Sequence, residues 1–302
     1  MKRFPSTSAL LIALLAGAGC RPGSSVAAAS ADSAEVARRE ARLAAALTRP
    51  DSGAASGAAL ARWILPKELA EISGLALTSD GRLFAHDDER SRISEIDYRR
   101  GVVVKQFAVG KQTVHADFEA ITAVGDRFYL LASDGVLYEF REGAEGEQVG
   151  YTMHDTRLGH ECEFEGLAFD ATINSLLLAC KHVRTASLRQ MLVLYRWRLE
   201  AGDGQQMSTL TVPLVQVIGT NGWKGLHPSD ITVDPATGNY VLVAAEEQAL
   251  IVITPGGDVV LARPLPGSLA HTEGVAITTD SILILSDEAG KRPAAIALYR
   301  WR

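Results

Sequence analysis

One phrase, written five times with variations, constrains this chain more than any other feature: "EISGLALTSDGRLFAHDDE", "DFEAITAVGDRFYLLASDG", "EFEGLAFDATINSLLLACK", "PSDITVDPATGNYVLVAAEE" and "TEGVAITTDSILILSDEAG". Aligned on Ser73, Glu119, Glu165, Ser229 and Glu273, the phrases stand about 45 residues apart, with one wider interval of about 64 before Ser229. Each is an apolar strand, a tight Gly, Asp or Asn turn, and a second strand of Val, Leu, Ile or aromatic residues. Third strands follow as "ISEID", "VLYEF", "MLVLYRW", "ALIVI" and "AIALYRW", and the first four units add a fourth, "KQFAV", "QVGYTM", "TLTVPLVQV" and "VVLARPL". Units of this length with four antiparallel strands are propeller blades. The expected fold is all-β, a five-bladed β-propeller over residues 60–302.

The wide interval leaves a six-bladed ring as the alternative. A sixth blade needs about 40 further residues, whereas the surplus lies in "HVRTASLRQ" and "LEAGDGQQMS", polar stretches suited to loops within the third blade. The last unit ends after its third strand, and "ARWILP" at 61–66 is a strand with no blade of its own. Ring closure accounts for both, because an N-terminal strand completing the C-terminal blade leaves no open edge. Small residues follow the anchors at Gly74, Ala120, Gly166 and Gly274, as crowding of inner strands toward an axis requires. Asp230 breaks that rule in the fourth unit.

The N-terminus has a different character. "MKRF" is a basic leader, "ALLIALLAGAG" an apolar stretch of export length, and Cys20 follows small residues, so residues 1–20 read as a lipoprotein signal peptide with lipidation at Cys20. Gly17 stands where such signals usually carry Leu, and ordinary cleavage at the "AAA" run of 27–29 is the competing reading. Arg21 after the Cys favours the outer membrane, facing the periplasm; a soluble periplasmic or secreted protein is the alternative. Residues 21–59 are an Ala/Ser-rich spacer in which "SAEVARREARLAAALTRP" forms a short helix from Ser33, stopped by Pro50. In that oxidising setting Cys162 and Cys180 are either a disulfide or two buried thiols.

The motifs "ISGLA", "FEAI", "FEGLAF" and "TEGVAI", at blade spacing behind an export signal, resemble the SdiA-regulated (YjiK-like) propeller family over residues 62–302. The resemblance implies a calcium-type ion near the propeller axis and names no reaction. More distantly the chain is similar to gluconolactonase and paraoxonase propellers, which are calcium-dependent lactonases and esterases; "PSDI" departs from the shared pattern.

Loops leading into first strands and leaving second strands open on one face of a propeller. They carry Glu71, Asp117, Glu119, Glu161, Glu163, Glu165, Asp230 and Glu273 from one side and Asp87, Asp88, Asp134, Glu246, Glu247, Asp287 and Glu288 from the other, with His86, His115, His160, His182, His227 and His271 among them. Glu119, Glu165 and Glu273 share one repeat position, so a closed ring aims them at one axis, where like charges repel unless a cation relieves them. Calcium, an oxygen-seeking ion, is the expected cofactor, held by Glu119, Glu165, Asp230 and Glu273. His86, Asp87, Asp88, His227, Asp287 and Glu288 are the expected ligand-facing residues, and His115 and His271 the candidates for proton transfer. The alternative is that these loop groups are solvated surface.

No nucleophile elbow, phosphate loop or dinucleotide fingerprint occurs. A net charge of −6 without interleaved basic and aromatic residues argues against nucleic acid. Two classes remain: a binding module on the cell envelope for a small molecule or an envelope protein, acting as a monomer, and a calcium-dependent hydrolase of lactones or esters.

Overall fold

The computed structural model describes residues 33–49, 57–199, 207–219 and 221–302. Cys20, the leader and part of the spacer lie outside the described residues. The helix expected in the spacer is α1 (Ser33–Thr48).

Five sheets form a ring, each built on four antiparallel strands, the first with a short fifth strand at its edge. A lone strand, β1 (Ala61–Ile64), comes first. Blade one is β2 (Ile72–Leu77), β3 (Leu83–Asp87), β4 (Arg92–Asp97) and β5 (Val102–Val109). Blade two is β6 (Phe118–Val124), β7 (Arg127–Ala132) and β8 (Val136–Arg141), then, past a short β9 (Gln148–Val149), β10 (Tyr151–Asp155). Blade three is β11 (Cys162–Asp170), β12 (Ser175–Val183), β13 (Met191–Arg198) and β14 (Met207–Pro213). A short α2 (Leu214–Ile218) leads to blade four, β15 (Asp230–Val233), β16 (Tyr240–Ala244), β17 (Ala249–Ile253) and β18 (Val259–Pro264). Blade five is β19 (Thr272–Ile277), β20 (Ile282–Asp287) and β21 (Ala295–Arg300), completed by β1 in the register Ala61↔Leu298 and Trp63↔Ile296.

The five-bladed, strand-closed ring is therefore the observed fold. The surplus of the third interval is absorbed inside blade three by a nine-residue β11 and β12, a 3-10 turn at Ala186–Leu188, and α2. One expected strand is divided. "QVGYTM" splits at Gly150, so that β9 runs parallel to β5 at the edge of blade one while β10 pairs with β8.

Adhesion between blades is apolar. Five clusters fill the five seams; between blades one and two, Phe84, Ile93 and Phe107 meet Phe118, Phe128 and Phe140, with Phe84 edge-on to Phe128 at 4.9 Å. Glycines let the inner strands touch. A Cβ on Gly74 would lie 3.2 Å from Ala120 Cα of blade two, one on Gly166 3.1 Å from the Ile231 nitrogen of blade four, and one on Gly274 3.1 Å from the Leu75 nitrogen of blade one.

The spacer helix is not a bare tether. Leu43 is buried in the seam between blades five and one beside Trp63 and Leu65. Arg300 donates to the carbonyls of Ala46, Leu47 and Arg49 at the helix end, and Glu40 pairs with Arg100. Ser33–Thr48, read from the sequence as part of a spacer, packs on the propeller through Leu43, with Leu47 beside it.

Candidate functional site

The answer to why inner strands begin with carboxylates lies in the strand pairing. In β2, β6, β11 and β19 the register skips one residue, giving Ile72↔Asp87 then Gly74↔His86, Phe118↔Ala132 then Ala120↔Leu131, Phe164↔Cys180 then Gly166↔Ala179, and Thr272↔Asp287 then Gly274↔Ser286. The skipped residues are Ser73, Glu119, Glu165 and Glu273, the repeat anchors. A β-bulge leaves its extra residue unpaired and re-aims its side chain, so these four blades turn their anchors toward the common mouth, whereas β15 of blade four pairs with β16 without a skip.

Blade three carries a second skip, on the opposite strand. Glu163 faces His182 while Phe164 faces Cys180, which leaves Lys181 as the extra residue of β12. Its ammonium meets Glu165 Oε1. These consecutive irregularities also bring the Cys162 and Cys180 Cα atoms to 5.7 Å in a disulfide, settling the choice left open by the sequence.

The electrostatics follow from burial. Burial, reinforced by Glu165 and Asp117, pushes Glu119 up to about 9. Burial likewise raises Glu165 to about 7 although Lys181 opposes it, and Glu273 is raised by burial and by Glu288. Burial alone would lower Lys181, but Glu165, then Glu273 and Glu119, hold it above the ordinary lysine value. Three carboxylates thus share one ammonium. Asp230 lies deeper, 1% exposed; its Oδ2 accepts the Val275 N–H at 2.8 Å, tying blade four to blade five, and its Oδ1 has no partner among the described residues. Burial raises its pKa strongly, against the backbone N–H groups of Val275, Ile231 and Leu167, and Glu273 adds to the rise.

Beside these carboxylates, toward blades four and five, lies a cavity of about 500 Å³ lined by Lys181, His227, Ser229, Glu246, His271 and Glu273. Among the described residues, two groups have ligand atoms all within 4.8 Å of one another: His271 with Glu273 and Glu288, and His227 with Glu246 and Glu247. Of the four residues expected to hold calcium, only Glu273 belongs to such a group. Glu165 stands near enough to Glu119 to raise its charge cost, while Asp230 spends one oxygen on backbone.

Several expected ligand-facing residues have structural duties instead. His86 is fully buried between blades, its Nδ1 2.8 Å from the Asp87 carbonyl, and burial lowers it to about 4. Asp87 accepts the Arg90 N–H at 2.6 Å, and burial raises it to about 6. Asp287 accepts the N–H groups of Ala270 and His271 at 2.8 and 2.9 Å and pairs with Arg62 of β1 at 3.1 Å, so it fastens the ring closure and sets the His271 loop. A short strand pair exposes a buried end at each of these places, and a carboxylate accepting backbone N–H groups satisfies it. His115 is exposed, joins Arg90 in an isolated bridge, and enters neither ligand group. Asp88 and Glu288 remain at the mouth; burial raises both, reinforced by Glu71 at Asp88 and by Asp88 at Glu288. Lys181 is the residue that the repeat concealed.

A larger cavity, about 850 Å³, opens on the far face. Its carboxylates are consumed in their own turns, Thr78 donating to Asp80 at 2.5 Å, Thr172 to Asp170 at 2.6 Å, Thr237 to Asp234 at 2.7 Å and Thr278 to Asp280 at 2.5 Å. The near mouth therefore has the uncommitted chemistry.

The ring is similar to that of the PQQ-bound aldose sugar dehydrogenase from Streptomyces coelicolor, with a TM-score of 0.52 and 14% identity over 79% of this chain and 98% of that one. It is also similar to Myxococcus xanthus glutaminyl cyclase, with a TM-score of 0.51 and 13% identity over 80% and 94%. At such identities the likeness is one of fold, a β-propeller. Neither a family model nor a curated protein matches the sequence. Among the described residues no helix is long and apolar enough to cross a membrane.

Proposed function

We propose that this propeller is an exported, lipid-anchored binding module of the SdiA-regulated type, whose axial mouth holds a divalent cation, calcium, and presents it to a small molecule or an envelope protein. The observation that carries the reading is the set of bulges that aim Glu119, Glu165 and Glu273 at one mouth, with Lys181 as the ammonium that meets Glu165. Burial leaves protons on Glu119 and Glu165, and a divalent ion would displace them and balance the carboxylates that Lys181 alone does not. The unpartnered Asp230 Oδ1 below them adds a hard oxygen donor of the kind calcium takes. Glu119, Glu165 and Glu273 would hold the ion, with Glu288 and His271 at its outer side.

Adding Ca²⁺ to metal-stripped protein should raise its melting temperature, since a ligand bound only by the folded state stabilises it. Glu165→Gln should weaken that response. Asp126→Asn, in an exposed turn at the far end of blade two, should leave it intact. Absence of any calcium response would remove the axial cation from the account. The anchor has its own test: Cys20→Ser should release the protein from the membrane fraction, and an unchanged distribution would exclude lipidation.

A second reading, a calcium-dependent hydrolase of lactones or esters, is favoured by His271, which lies within 4.8 Å of Glu273 and Glu288. The bound ion would supply charge to polarise a carbonyl oxygen. His271 would hold the proton of an attacking water. Turnover of a lactone or aryl ester that is lost in both His271→Ala and Glu165→Gln would select this reading; an inactive wild type across both panels would leave the binding module.

A further inference from the structure

We infer that a second metal site, for a borderline ion such as Zn²⁺, lies off the axis at the seam of blades three and four, built from His227, Glu246 and Glu247 with His182 beside them. None of these residues is a repeat anchor. His182 is the penultimate residue of β12, His227 sits on the loop before β15, and Glu246 and Glu247 lie in the turn between β16 and β17. Four side chains from three separate segments converge where the blade repeat requires nothing.

The arrangement around His227 is the central observation. Its Nδ1 lies 2.8 Å from Glu247 Oε1 and 3.3 Å from Glu246 Oε2, so one ring nitrogen faces two carboxylates. A nitrogen carries a single proton, which can be donated well to only one of them. A tetrahedral zinc ion with bonds of about 2.0–2.2 Å sets its ligand atoms about 3.3 Å apart. The 3.3 Å separation already suits such an ion, and the 2.8 Å pair, a hydrogen bond without the ion, would open by about 0.5 Å as a cation replaced the shared proton.

Two further features fit an ion better than a simple ion pair. The other Glu247 oxygen accepts the His227 backbone N–H at 3.0 Å, which holds the carboxylate in a fixed pose. Support of this kind, behind a ligand, is how metal sites are kept in shape. The His182 ring lies against the His227 ring, centroids 4.9 Å apart, and brings a second imidazole to the same cavity of about 610 Å³. One imidazole with two carboxylates is an N/O donor set that suits zinc and leaves a coordination position open on the side of His182, in contrast to the oxygen-rich axis.

The test uses metal-stripped full-length protein titrated with Zn²⁺ by calorimetry, and with Co²⁺ as a visible-absorption reporter of ligand geometry. Wild type should bind one off-axis equivalent, with release of protons as the ion displaces them. His227→Ala and Glu246→Gln should each weaken binding by about tenfold or more, and Glu273→Gln should leave it unchanged. Glu246 is exposed, so its variant keeps the test decisive if His227→Ala folds poorly. Zinc binding that is absent, that survives both substitutions, or that is lost with Glu273 would overturn the inference. The axial reading stands or falls separately, on calcium and Glu165.

Discussion

Glu119 shows at the residue scale how position in a bulge becomes chemistry. Pushed to about 9, with Glu165 at about 7, it keeps a proton in the folded state that the unfolded chain has lost. The stability these groups contribute is full below the ordinary Glu value and disappears as pH rises through about 7 to 9. His86, lowered to about 4, works in the other window and costs stability as pH falls below about 6.5. Metal-free protein should therefore lose melting temperature between about pH 6.5 and 9, and Glu119→Gln should flatten that decline. An equal slope in the variant would mean that the carboxyl is not the proton holder. The anchors were legible because a repeat exposes equivalent positions. Lys181 was not, since "ACKHV" has no counterpart in other blades and its aim depends on a skip in β12 that no residue type announces.

At the scale of elements, α1 was readable from Ser33 to its stop, but its docking was not. Ala-rich helices bury little, and the decision rests on Leu43, 1% exposed in the seam of blades five and one. Leu43→Ala should cost about 2–3 kcal/mol, the lower part of the range for a buried Leu, because the helix can undock rather than leave a cavity. Thermal melts of the variant beside Leu47→Ala would check this. No loss at Leu43 would return the helix to the role of a spacer. The split of β9 from β10 and the path of Cys162 to Cys180 belong to the same scale. Both depend on how a strand bends, which residue alternation does not report.

For the whole molecule, closure is the element most open to attack. β1 covers the outer edge of β21, Trp63 Nε1 donates to the Tyr98 carbonyl of blade one at 2.8 Å, and Arg62 reaches Asp287 of blade five. A chain beginning at Ala59 should fold, with a lower melting temperature for want of α1. One beginning at Glu71 should expose the β21 edge and aggregate, as unpaired strand edges do. Light scattering and melting curves of the two would decide, and equal behaviour would contradict closure by β1.

What the sequence determined by itself was the repeat: apolar alternation, turn residues and spacing are local properties, and a strand that must be paired on both sides leaves a ring as the solution. Blade number, closing strand and the register of Glu119, Glu165 and Glu273 all follow from it. Only the tertiary structure decided which acids are free and which are spent. Asp87, Asp230 and Asp287 look like their neighbours in the chain, yet each is committed to backbone N–H groups, in the latter two cases brought to them by another strand or loop. Such partners come from distant segments, as do the contacts of His227 with Glu246 and Glu247, and no periodicity in the chain encodes a contact between segments that pack by closure of the ring.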